Sequence, residues 1–531
     1  MPYNGNGVFV RLYNWVQDAA NSIQIVASRM DNETQGIADG LTNCLTRDGQ
    51  SPPTANIPMG NKKITGLANG SSSGDAVSYD QVFGSNGSSN VGFIQSGVGA
   101  VARTAQDKLR DTTSPEDFGA VGDGVTDDSA AFVAALASHN VVECNGSKYY
   151  KLKNLTLTNN QTIDFNGARV TAAAGATYIV KLTNYAANIT NFYIPDATAC
   201  SEAAIVFDNG RFCGVSNGTI LNSTTAISLK ATVAATGCIK PYINDVNIEG
   251  FTVRGIYLQP NVAQLEATDV FVDQGGASGV GIDHNSTGSI IAHGGHTYNN
   301  VRAEGCNIGW KITNGTLTEI EGGWADTSSD TGMIFYGACD HINIRNFFIG
   351  TSTNKGLVLH DTAKVYVDGL EMYAATDTVE VFDTAELIMD IPAWRGNKSG
   401  FAVASGAKFT PVGADIVGGT SVGTIAVSTN TFLGINAVQA TEADTGWVMP
   451  YDGYIIGIYG RCTVTPVTTH VYTARKGAAD TTIVSTINPA SFAAGAWGAV
   501  PAVKGDMINA RVTTSTTNAS RHSVQIVIAS S

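Results

Sequence analysis

The sequence predicts an all-β chain whose centre is a solenoid of short stacked strands. An apolar triplet recurs from Val246 to Met389: Val246-Asn-Ile, Val270-Phe-Val, Val301-Arg-Ala, Ile320-Glu-Gly, Ile342-Asn-Ile, Val365-Tyr-Val and Leu387-Ile-Met, at spacings of 24, 31, 19, 22, 23 and 22 residues. A second series runs beside it, with GIYL at 255, GID at 281, GWKI at 309, GMIF at 332 and GLVL at 356. A period of about 20–30 residues that holds several short strands is the mark of a solenoid. Composition agrees: 59 Gly and only 14% charged residues describe many strands and turns rather than helical bundles. No helical pattern separates the strands, which excludes a doubly wound α/β fold.

Length alone corresponds to about three or four domains, fewer where one is a solenoid. The net charge is −14, and residues 260–400 hold 18 Asp or Glu against 7 Lys or Arg, so −11 sits there. An acidic surface disfavours nucleic acid as a partner. The eight cysteines (44, 144, 200, 213, 238, 306, 339 and 462) show neither CxxC nor zinc spacing, so they are expected as buried free thiols of a protein folded in a reducing cytosol. No calcium-loop, P-loop or G-x-S-x-G string appears, and neither a cofactor nor a metal is expected. The N-terminus lacks the pattern of a signal peptide, and no apolar run approaches the roughly 18 residues of a membrane span, so membrane insertion is not expected.

Residues 10–46 read as helical. Val10, Trp15, Ala19, Ile23, Ile25, Met30, Ile37 and Leu41 give an imperfect stripe, with breaks expected near Asp31-Asn32 and Gly40. A turn-rich passage follows, then GDAVSYDQVF at 74–83. The segment 45–83, with its Pro-Met-Gly-x-Lys turn, Thr-Gly-Leu-Ala string and Asp-Ala-Val element, resembles a recurring phage tail-fibre element. That resemblance implies a segment tying a fibre to the virion. SNGSSNVGFIQSGVGA at 85–100 reads as a linker.

The string SPEDFGAVGDGVTDDSAAF at 114–132 joins a Gly- and Asp-rich turn to a helix start. Asp127 and Asp128 are natural N-cap residues, because a short carboxylate can accept the orphan N–H groups of a first turn. As a whole the string resembles the opening of pectate-lyase-like right-handed β-helices, especially those of bacteriophage tailspikes. Residues 401–531 change character: TGWVMPYDGYIIGIYGRCTV at 445–464 and GDMINARVTT at 505–514 alternate in strand fashion. This passage resembles the β-sandwiches that close many tailspikes. The expected organisation is a small helical and irregular N-terminal anchor with linker at 1–110, a right-handed parallel β-helix at 111–400, and a C-terminal β-sandwich at 401–531 serving trimerisation or carbohydrate binding.

Alternate side chains of a strand face opposite ways. With the seven triplets in one register, two outward columns follow. The first holds Asn247, Phe271, Arg302, Glu321, Asn343 and Tyr366; the second holds Glu249, Asp273, Glu304, Gly323, Arg345 and Asp368. Carboxylates, Arg, Asn and aromatics in such columns suit a carbohydrate groove, since sugars accept hydrogen bonds and stack on rings; a solvated rung face would also be polar. Gly322-Gly323 marks a bend, and Trp324 and Asp326 follow it. For glycoside hydrolysis the candidate catalytic carboxylates are Glu304, Glu321 and Asp326. Trp324, Arg302, Arg345, Phe271, Tyr366 and Asp273 are the candidate substrate contacts. His293, His296 and Tyr298 form an alternative cluster, able to supply a lyase base or simply to bond locally.

The resemblance implies a tailspike, assembled in the bacterial host cytoplasm and carried on the virion tail. It implies a homotrimer, attached through its N-terminal region to a tail or adaptor protein, that binds and cleaves capsule or O-antigen. The alternatives are a non-enzymatic receptor-binding fibre of the same architecture and a non-viral polysaccharide lyase or hydrolase.

Overall fold

The structure is a computed structural model. It describes residues 8–42, 53, 56–57, 59–289, 294–352, 354–374, 377–390, 395–396, 401–412, 415–420, 431–434, 437–439, 447–449, 452–462, 469–487, 493–514 and 522–530. The chain divides into two compact units, Met1–Leu109 and Arg110–Ser531.

In the first unit, Trp15–Ala20 and Ala27–Thr42 are α-helices. The break therefore falls at residues 21–26, where Ser22 is left-handed, and the second helix runs through Asp31-Asn32 and Gly40. Asn14 caps the first helix through its side chain, and Glu33 ties the second to the backbone N–H groups of Leu12 and Tyr13. Ser78 caps a further short helix, Tyr79–Phe83. The passage read as a linker contains a 3-10 turn, Gly87–Asn90, and a strand, Gly92–Phe93, paired antiparallel with Arg103–Thr104. Most of the apolar stripe of the helices is exposed.

The second unit opens with the 114–132 string, whose polar residues staple a loop. Ser114 and Asp117 form a capping box, and Gly119 closes that turn in the left-handed region. Asp123 accepts from the N–H groups of Val125 and Thr126. Asp128 occupies the N-cap of helix Ser129–Ser138, but its carboxylate turns back to Val121 N–H at 2.7 Å and does not cap the helix; Asp127 accepts from Ser129 N–H at 3.1 Å. The helix plugs the first coil, with Phe132 fully buried edge-on to Tyr150.

From Asp123 to Val412 the strands pair in parallel, each rung upon the next, in about 11 turns of a β-solenoid. The pairing passes residue 400: Lys408–Val412 lies in register on Glu386–Asp390. Interior side chains form one continuous apolar core, which a single coil with unpaired edges could not build alone. The seven described cysteines are buried thiols; Cys44 lies outside the described residues. Beyond the solenoid, antiparallel strands form two sheets around a core that includes Ile455, Ile458, Tyr472, Ile508 and Ile526.

The rung geometry corrects the expected register. All seven triplet leaders are buried, yet they do not form one stack. Val246 pairs with Val270, and the same ladder continues past Thr268–Asn299 and Phe271–Arg302 to bring Val301 onto Val270. Ile320, however, pairs with Tyr298 and Ile344, while Ile342 pairs with Thr318, Val365 and, through it, Leu387. The cause is a corner residue in left-handed conformation. Asp245, Asp269, Asn300, Gly322, Asn346 and Gly369 all have positive φ and stand at the same place in successive rungs. Inward residues alternate up to the corner, then resume one residue after it. The triplets led by Val246, Val270 and Val301 follow the corner; the other four precede it.

The two glycines of that corner differ. Gly322 has φ +64, and a Cβ there would make only an ordinary contact with Asn300 N at 3.9 Å, whereas a Cβ at Gly323 (φ +88) would collide with the Val301 carbonyl. Gly322→Asn is expected to be nearly neutral, because Asn300 and Asn346 fill the neighbouring corners. Gly323→Ala is expected to cost at least about 2 kcal/mol, the left-handed penalty plus the clash. Urea melts of the two variants check this contrast.

Candidate functional site

The first residues after the corner present two side chains outward in each rung, at the second and fourth positions. In-register pairing stacks them into two columns. One runs Asn247, Phe271, Arg302, Trp324, Phe348 and Glu371; the other runs Glu249, Asp273, Glu304 and Asp326. Neighbouring strands lie about 4.8 Å apart. Four carboxylates therefore line successive rungs beside an aromatic and cationic column, and all eight of the residues from 247 to 326 in these columns are partly exposed.

This crowding has an electrostatic consequence. Partial burial pushes the Glu304 carboxyl above its ordinary value, and the negative charges of Asp273 and Asp326 push it the same way; a hydrogen bond from the Trp324 side chain opposes them. Its neighbours are held by local donors. Asp326 Oδ1 accepts from the N–H groups of Thr327 and Thr351, both at 2.7 Å, and from the Thr351 hydroxyl at 3.0 Å. Gly350, the residue after the Ala325–Ile349 pair, makes room for Asp326, since a Cβ there would collide with Asp326 Oδ1. Asp273 Oδ1 accepts from Gln274 N–H at 2.6 Å.

The aromatic column is fixed by a chain of contacts. Asn300, at the corner, donates to Asp269 Oδ1 at 2.6 Å and accepts from Arg302 Nε at 3.0 Å. The Arg302 guanidinium then stands 4.1 Å from the centre of the Trp324 ring. Such a contact holds a half-exposed indole in place. Phe348 and Tyr373 extend the aromatic surface, with ring centres 5.8 Å apart.

Of the residues nominated from sequence, Glu304, Asp326, Trp324, Arg302, Phe271 and Asp273 converge here. Glu321, Arg345 and Tyr366 lie on the strand before the corner. Glu321 pairs with Asn299 and Arg345 and accepts from Asn346 Nδ2 at 2.8 Å. Arg345 forms an ion pair with Glu319 at 3.0 Å, and Tyr366 pairs with Asn343. The alternative cluster does not form a surface site: His296 and Tyr298 are fully buried inside the coil, with Leu265 N–H donating to His296 Nδ1 and Tyr298 packed edge-on to Trp310. His293 lies outside the described residues. Phe348 and Gly350 were not nominated as site residues from the sequence, although the Gly322-Gly323 pair signalled the corner that places them. Among the described residues, no group of three or more His, Cys, Asp or Glu side chains is arranged to hold a metal ion.

The arrangement fits two-carboxylate chemistry. Glu304 is biased toward its protonated form, and Asp326 stands on the adjoining rung. Retaining glycosidases place their carboxyl groups about 5–5.5 Å apart, close to the spacing of adjacent strands, and inverting enzymes about 6.5–9.5 Å apart.

Comparison with known proteins gives short likenesses. No family model matches. The chain is 39% identical over 88 residues to depolymerase 1, capsule K30/K69-specific, of Klebsiella phage K5-2, covering 16% of this chain and 11% of that one. It is 44% identical over 63 residues to a tail spike protein of an Escherichia phage, covering 12% and 8%. The chain thus spans about a tenth of the length of these curated relatives. Among solved structures, the enzymatically active domain of tailspike protein 2 of bacteriophage CBA120 aligns at 10% identity with a TM-score of 0.43, over 83% of this chain and 80% of that one. The tailspike of E. coli bacteriophage HK620, solved with a pentasaccharide, aligns at 9% identity with a TM-score of 0.40, over 84% and 99%. Over its matched segments, the chain resembles bacteriophage tail spike and depolymerase sequences.

Proposed function

We propose that this chain is a phage tailspike that binds and hydrolyses a bacterial surface polysaccharide, capsule or O-antigen, during adsorption. The carboxylate ladder carries the reading: Glu304, its carboxyl pKa raised by partial burial and by the charges of Asp273 and Asp326 on either side, beside the Arg302–Trp324 stack. The short likeness to a phage depolymerase and a tail spike supports it. Glu304 acts as the general acid on the glycosidic oxygen. Asp326, oriented by Thr327 and Thr351, acts on the anomeric carbon from the adjoining rung, the close spacing of a retaining mechanism. Trp324, Phe271 and Phe348 stack sugar rings, and Arg302 donates to hydroxyls. Glu321, on the other side of the corner, has no part in this step.

The remaining roles complete the proposal. Residues 1–110 attach the protein to a tail or adaptor protein of the virion, the solenoid recognises the polysaccharide, and the sandwich serves trimerisation or carbohydrate binding. The protein assembles in the host cytoplasm as a homotrimer. Light scattering is expected to give about three times the 55.3 kDa chain mass; a monomer mass would remove the trimer.

Incubation with capsule or lipopolysaccharide from candidate hosts tests the chemistry. New reducing ends without the absorbance of an unsaturated uronate are expected. Glu304→Gln and Asp326→Asn should each lower turnover on the order of 10²–10⁴-fold while retaining binding. Binding without cleavage by the wild type would make the protein a receptor-binding fibre, and full activity in both variants would remove this site.

Glu304 also makes stability depend on pH. Its folded-state pKa lies above the ordinary 4.5, so the stability it contributes is full below that value and is lost as pH rises through the elevated one. Glu304→Gln removes this titration. Its melting temperature is expected to match or exceed that of the wild type near neutrality, with the difference vanishing at about pH 4. Calorimetry across that range checks the sign.

A further inference from the structure

A depression of about 600 Å³ opens on the outer face before the left-handed corner and shares no residue with the carboxylate ladder. Its floor is Tyr242. Gly214 pairs directly with Tyr242, and the Tyr242 ring occupies the space where a Cβ of residue 214 would stand. The phenol O–H donates to Asn188 Oδ1 at 3.0 Å. One ring face is therefore pressed on backbone and pinned, while the ring itself lines the depression. A fixed, flat aromatic ring is a platform for the C–H face of a pyranose.

The rim supplies an independent observation. Phe212, Lys240 and Gln264 hold successive positions at another corner of the solenoid, with φ of 56, 51 and 58. The corner described above uses Asn, Asp and Gly. Each of these bulkier residues costs about 1–2 kcal/mol in that conformation. Phe212 is 44% exposed, with its ring centre 5.4 Å from that of Tyr185. The Lys240 ammonium lies 5.6 Å from the centre of the Phe212 ring and makes no ion pair among the described residues. Strained, exposed, bulky residues beside a cavity persist where they serve a ligand rather than the fold.

We infer that this depression is a second glycan subsite, which takes an uncharged pyranose ring. Tyr242 stacks the ring, Phe212 walls it, and Lys240, Gln264 and Glu266 bond its hydroxyls. Among the described residues of the lining, Lys240 and Glu266 are the charged ones and have opposite signs, which favours a neutral sugar. The inference rests on the proposed function only for the ligand class, a saccharide, and its test requires no cleavage.

Titration of the full chain, carrying Glu304→Gln, with methyl glycosides of glucose, galactose, mannose and N-acetylglucosamine, followed by saturation-transfer NMR, tests it. At least one glycoside should bind. Tyr242→Thr should weaken that binding about tenfold, the loss of about 1.4 kcal/mol of stacking and contact. Phe212→Asn combined with Lys240→Asn should weaken it severalfold, with a melting temperature at or above that of the parent, because Asn tolerates the left-handed region. If Tyr242→Thr fails to fold, the double variant decides. Binding by no glycoside, or unchanged binding in the double variant, overturns the inference. A double variant that loses oligomeric mass also overturns it and makes the depression a contact between copies of the chain. Reducing-end assays of the wild-type chain, with Glu304 in place, separately report on the proposed hydrolysis.

Discussion

One backbone constraint governs the outward columns: a residue in left-handed conformation at the same corner of successive rungs from Asp245 to Gly369. L-residues resist that conformation, and Asn, Asp and Gly accept it at least cost. Asp245, Asp269, Asn300, Gly322, Asn346 and Gly369 supply it in turn. The corner resets which residues face outward, and at Asn300 and Gly322 it also separates one strand from the next. Everything downstream in the rung inherits that reset, including the identity of the carboxylates that meet. The corner also supplies side-chain bonds of its own, as where Asn300 joins Asp269 to Arg302.

Stacking then converts this local geometry into a site. The interior offers apolar columns that no single coil could bury alone, with Trp310, Tyr298 and Phe347 packed edge to face at its centre. Parallel pairing at a fixed spacing forces outward residues of equal register into contact. Glu304 meets the charges of Asp273 and Asp326 because the backbone leaves no alternative, and partial burial together with those charges raises its proton affinity. Gly350 shows the same logic in reverse, since its missing Cβ lets Asp326 lean across the next rung and collect the Thr351 bonds.

The solenoid was legible because a period of 22–24 residues survives in the sequence and because the 114–132 string encodes a specific stapled loop. The outward columns were legible only in part. Extending alternation from Val301 to Ile320 ignored that the spacing of 19 residues falls three short of the rung that brings Ala303 onto Ala325. The ladder was correct through Glu249, Asp273 and Glu304, then passed to Gly323 in place of Asp326. A positive φ leaves no trace in a hydrophobic pattern unless the corner residue is recognised, and Gly322-Gly323 was read as a bend without its consequence for register. His296 and Tyr298 misled for a related reason: polar side chains inside a solenoid are indistinguishable by type from those outside it, and only burial separates them.

The central claim is that the corner register places Glu304, Asp326 and Trp324 on one glycan-cleaving face. A crystal structure of Glu304→Gln with an oligosaccharide of the host polysaccharide tests it most directly. The account requires the sugar chain to lie along Phe271, Trp324 and Phe348, with a glycosidic oxygen within hydrogen-bonding distance of residue 304 and the adjoining anomeric carbon beside Asp326. A sugar chain lying instead across Glu321, Arg345 and Tyr366 would contradict it.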